Sequence, residues 1–108
     1  MELNKIDLSG EPENMKAVYL VLRIYDVHNQ NADQEEKIFD HIIVSQKVLD
    51  MIDSINFTYV NDGLEPTEVI KKVGYLLNLH VYLDPHKETD NVTFTNDNKE
   101  TYELEVIL

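Results

Sequence analysis

The sequence predicts an α+β fold: one mostly antiparallel sheet with one main helix packed on one face. Three observations carry this expectation. Runs of β-forming residues alternate apolar and polar side chains at 16–27, 73–83 and 92–108. One stretch, 45–55, switches to the helical period. Polar clusters containing Gly, Pro, Asn and Asp separate these runs.

The elements follow in order. Residues 1–14, "MELNKIDLSGEPEN", hold few core candidates and read as a flexible N-terminal arm, leaving 15–108 as a single α+β domain. In "KAVYLVLRIYDV", Val18, Leu20, Leu22 and Ile24 share one face of an extended chain and Tyr19, Val21, Arg23 and Tyr25 the other, which predicts a half-covered strand. "HNQNADQEEK" reads as a loop or as a short helix starting near Asn31. "IFDHIIV" predicts a strand running straight into Ser45, whose hydroxyl suits an N-cap. Val48, Leu49, Ile52 and Ile55 then form one helical face.

The stretch 56–68 reads as a loop with a turn at Asn61-Asp62-Gly63 and room for a short hairpin. "VGYLLNLHVYLDP" reads as one buried strand, with Leu77, Leu79, Val81 and Leu83 on its core side, stopped by Asp84-Pro85. The remainder predicts a closing hairpin, Val92 and Phe94 in one strand and Tyr102, Leu104, Val106 and Leu108 in the other.

The composition narrows the function classes. Apolar residues make up 43% of the 108-residue chain, enough for one modest core. Nothing has membrane-spanning length, and cysteine is absent, which excludes disulfides and thiolate–zinc sites. The formal charge is −12, with nine basic residues scattered along the chain. Nucleic-acid binding depends on Lys and Arg replacing phosphate counterions, so direct binding is not expected. A basic protein surface is the natural complement.

No catalytic constellation is present, and neither a cofactor nor a metal site is expected. Serines 9, 45 and 54 lack a nucleophile elbow, and the three glycines are too scattered for a phosphate loop. His80, Asp84 and His86 lie close in sequence, but no helical spacing aims two imidazoles at one ion, so they read as histidines beside a turn. Asp50 and Asp53 share a helix face, and Glu103 and Glu105 share a strand face. These four are the candidate contacts for a basic partner.

The order of segments from 38 to 97 resembles the peripheral or axial subdomain of major capsid proteins from T-even-type tailed phages. Ile42, Ile43, Val44 and Ser45 match that family's strand and helix start, and Val48 and Leu49 its helix core. Val73, Gly74 and Leu76 match a V-G-x-L segment; Val81, Tyr82, Asp84 and Pro85 match a V-Y-x-D-P strand end. Leu77-Asn78-Leu79 stands where the family has a turn glycine, and Thr95 to Lys99 replace a second. The resemblance implies a capsid-related or virion-associated protein acting by contact with capsid subunits or a second copy, in the virion or the host cytoplasm. A small acidic inhibitor that mimics DNA towards a host nucleic-acid-handling protein is the alternative expectation.

Overall fold

The computed structural model describes residues 4–34, 37–55, 57–60 and 70–108. Among the described residues nine elements follow one another: β1 (Lys5–Asp7), α1 (Glu13–Gln34), β2 (His41–Val44), α2 (Gln46–Ile52), β3 (Phe57–Tyr59), β4 (Lys71–Leu76), β5 (Leu79–Leu83), β6 (Val92–Thr95) and β7 (Thr101–Ile107). The strands form one sheet in the order β1-β7-β6-β2-β5-β4-β3. The pairs β1–β7 and β2–β5 are parallel; the other four are antiparallel. The α+β class therefore holds, with a mixed sheet.

Topology decides which face of the sheet is covered. The pairings make β1, β2 and β3 run in the same direction, and they sit at one edge, the centre and the other edge. Helix α1 connects the first two and α2 the last two. Both crossovers thus advance across the sheet in the same sense, and crossovers of one hand then put both helices on one face. The burial agrees. Leu20, Ile24 and Val27 of α1 and Val48 and Ile52 of α2 join Ile42, Val44, Val81, Phe94 and Leu104 of the strands in one core. Across its centre run Phe94, Ile42 and Val81, directly paired and fully buried.

Three expectations need correction. The predicted strand at 16–27 lies inside a 22-residue helix. Its buried residues Lys16, Leu20, Val21, Ile24, Val27 and Asn31 recur at helical spacing, whereas Leu22, assigned to the core face of a strand, is 57% exposed. The unbroken apolar run 18–22 fits either period, so alternation alone misleads there. Pro12 opens the helix, its carbonyl accepting from the amides of Met15 and Lys16. The polar stretch at 28–34 continues α1, with Asn31 Nδ2 donating to the Val27 carbonyl.

The expected strand at 73–83 is a hairpin. β4 and β5 are joined by Leu77-Asn78, and Leu77 holds φ 53°. That left-handed conformation is the one a glycine adopts at no steric cost. Finally, the expected arm is docked: Lys5–Asp7 pair with β7, and Leu8 is 1% exposed. The boundary set at 14/15 falls inside α1. The turn anticipated at Asn61-Asp62-Gly63 lies outside the described residues.

The expectations for 45–52 hold at residue level. Ser45 caps α2, its Oγ accepting from the Val48 amide at 3.2 Å, and the buried Val48, Leu49 and Ile52 form the anticipated face. Gly74 lies where the β4–β5 register shifts, and a Cβ there would meet the Thr58 carbonyl and the Phe57 ring.

Candidate functional site

No described element covers the second face of the sheet. Because successive side chains on a strand alternate, the residues between the buried positions point away from the helices. The registers align them in rows. Thr101, Thr95, His41, His80, Tyr75 and Thr58 form one row across six strands. Glu103, Thr93, Ile43, Tyr82 and Lys72 form the next. One half of this face carries threonines and acids; the other half carries aromatic and aliphatic groups.

The aromatic half is in mutual contact. The His41 and His80 rings lie 4.8 Å apart, His41 and Tyr82 5.5 Å, and Tyr75 and His80 5.0 Å. Such tilted and edge-on contacts suit the ring quadrupoles. Lys72 donates from Nζ to the Tyr75 hydroxyl at 2.7 Å and sits 4.1 Å above that ring. A shallow depression of about 260 Å³ lies among His41, Ile43, Ile70, Tyr82 and Thr95. Ile70 at its border is 52% exposed.

Charge frames this patch. His41 Nε2 is 3.3 Å from an Asp40 carboxylate oxygen and 3.4 Å from one of Asp97. The Asp97 side chain is almost wholly exposed. His80 is held below the usual histidine pKa, first by burial and then by the positive charge of Lys72 and by His41; Asp40 and Asp97 oppose the shift. At neutral pH the patch therefore offers a neutral His80.

The structure separates the four acids singled out from sequence. Glu103 and Glu105 project from β7 on the uncovered face, where Glu103 accepts from Thr93 Oγ1 at 2.9 Å and Glu105 pairs with Lys5 at 3.4 Å. Asp50 and Asp53 lie on and just after α2, which packs against the opposite face. Asp50 accepts from Gln46 Nε2, and Asp53 accepts from the Tyr59 hydroxyl at 2.8 Å. Burial and that carboxylate push the Tyr59 pKa up to about 12. The four do not form one surface.

The positions matched to the capsid motif are mainly structural. Val73, Gly74, Leu76 and Val81 are buried on the helix side, while Tyr82 belongs to the uncovered patch. Asp84 accepts the His86 amide in a tight turn with Pro85 between them, after β5 has ended. His80 and His86 do not converge, and no group of three His, Asp or Glu residues suited to a metal occurs among the described residues. The patch escaped sequence reading because its members lie on three separate strands, β2, β4 and β5. The strand reading of 73–83 put Leu77 on the core side and did not see that Tyr75 and His80 face each other across a turn.

No helix of the described chain is long and apolar enough to cross a membrane. No family model, curated protein or solved structure matches this chain. Nothing in these comparisons links the chain to phage capsid proteins.

Proposed function

We propose that this protein is a non-enzymatic binding module that takes a basic protein partner on the uncovered face of its sheet. The observation that carries the reading is the contiguous patch of Ile43, His41, His80, Tyr75 and Tyr82 on a face free of described secondary structure. Tyrosine-rich apolar centres bordered by polar groups are the usual anatomy of a protein interface. The charge decides the kind of partner. Two copies would each bring a formal charge of −12, and that repulsion disfavours a face-to-face dimer; a cationic surface gains attraction and faster encounter.

A basic capsid or virion component is the setting that the motif order from 38 to 97 favours. A host protein that handles nucleic acid is the second reading, favoured by the same negative charge. The test compares the wild type with a Tyr82→Ala/His80→Ala double variant in pull-downs at low and high salt. The expected outcome is a basic protein retained at low salt, released at high salt and lost from the variant. Competition by duplex DNA assigns the partner to the nucleic-acid-handling class, and co-sedimentation with capsid subunits assigns it to the virion. Equal retention by wild type and variant would refute the reading.

A further inference from the structure

A second surface lies at the sheet edge formed by β1, remote in register from the aromatic patch. β1 stands first in the strand order, so only one of its sides has a neighbour among the described strands. Its bonds to β7 use the Asn4 carbonyl, which accepts from the Glu105 amide, and the Leu8 amide, which donates to the Ile107 carbonyl. Groups at Lys5 and Asp7, alternate in the strand, therefore face outward. Beside this edge runs a groove of about 290 Å³ between β1 and α1. Tyr19 and Leu22 of α1 form its apolar wall, 38% and 57% exposed.

The groove is acidic. Asp7, Glu11 and Asp26 line it together with one cation, Arg23. Arg23 already donates to the outward Lys5 carbonyl, which shields the edge from strand pairing. Asp7 accepts from the Ser9 amide and hydroxyl, and these bonds hold its carboxyl below the usual value, so it is ionised at neutral pH. Glu11 and Asp26 are exposed.

We infer that this groove binds an extended segment of a partner protein, laid along the free edge of β1, whose α1-facing side chains, at every second residue, are apolar and Lys or Arg in turn. Main-chain bonds to the outward groups of Lys5 and Asp7 supply the pairing, as when a peptide adds a strand to a sheet. Apolar side chains reach Tyr19 and Leu22, and cations reach Glu11 and Asp26. The Arg23 guanidinium swings off the Lys5 carbonyl as the segment docks. This site stands apart from the proposed patch around Tyr82, and either can fail alone.

The probe is a synthetic peptide of repeating Val-Thr-Arg-Thr, which puts valine and arginine on the same face, titrated into isotopically labelled full-length protein and followed by amide chemical shifts. The expected result is saturable shifts at Lys5, Asp7, Leu22 and Arg23, with at least tenfold weaker binding to a Glu11→Lys/Asp26→Lys variant. The Tyr82→Ala/His80→Ala variant should bind as the wild type does. Because Glu11 and Asp26 are exposed, the charge-reversal variant is expected to fold, and its spectrum in the absence of peptide checks this. The inference is overturned by the absence of saturable shifts at these residues, by shifts confined to the aromatic patch, or by equal binding of the same peptide with glutamate in place of arginine.

Discussion

Replacing Gly74 with alanine should loosen the far edge of the sheet. Gly74 pairs with Val81 of β5 on one side and Tyr59 of β3 on the other, and it is buried. A Cβ there would collide with the main-chain carbonyl of Thr58 and come within 2.8 and 2.9 Å of two Phe57 ring carbons. The ring can rotate away; the carbonyl moves only if β3 moves. Overpacking of this kind costs about 1–3 kcal/mol. For a domain of this size that corresponds to a fall in Tm of about 5–20 °C. Gly10→Ala is the matched control, since nothing lies within 4 Å of its added methyl and its φ is not positive. Its stability should stay within about 0.5 kcal/mol of wild type or rise slightly. Urea unfolding measures both, and hydrogen exchange at the Val60 amide, bonded to the Val73 carbonyl at 3.0 Å, reports whether β3 has lifted. A Gly74→Ala protein as stable as Gly10→Ala, with Val60 still protected, would refute the reasoning.

Leu77→Gly should stabilise the β4–β5 hairpin, because the exposed Leu77 holds φ 53°. Left-handed backbone costs a residue with a Cβ about 1–2 kcal/mol, partly offset by the entropy glycine loses on folding, so a net gain below about 1 kcal/mol is expected from urea titration. Ser45→Ala removes the cap of α2 and its 3.1 Å bond to Asp90, and should cost about 1–2 kcal/mol in the same assay. The depressed pKa of His80 means the unfolded chain takes up this proton more readily than the folded one. Stability linked to this group is therefore present above the usual histidine value of about 6.5 and lost as pH falls through it towards the folded value. A His80→Gln variant should show a flatter stability profile across that window.

What could be read from the sequence followed the strength of local signals. Ser45 with Val48, Leu49 and Ile52 combines a cap with a clear helical face, and α2 forms there. The final hairpin alternates strictly, and β6 and β7 pair as expected, Phe94 opposite Tyr102. Two signals were ambiguous. Apolar residues at every position from 18 to 22 erase the difference between periods of two and 3.6, so α1 resembled a strand until Pro12 and the buried Asn31 revealed its length. The β4–β5 turn uses Leu77 where glycine would mark it, so two strands read as one. Those errors hid the site as well. The uncovered face follows from α1 crossing over in the same sense as α2, and its aromatic patch follows from the turn that brings Tyr75 against His80. The acidic pairs were visible in the sequence, but their placement on opposite sides of the sheet is a property of the topology.

The central claim is that a basic partner docks on the uncovered sheet face. Placing a photo-crosslinking amino acid at position 82 and, in a second protein, at the exposed position 46 on α2 tests it most directly. The account predicts a covalent adduct with a basic protein from position 82 and none from position 46. Adducts from position 46 alone, or only with another copy of this chain at position 82, would contradict it.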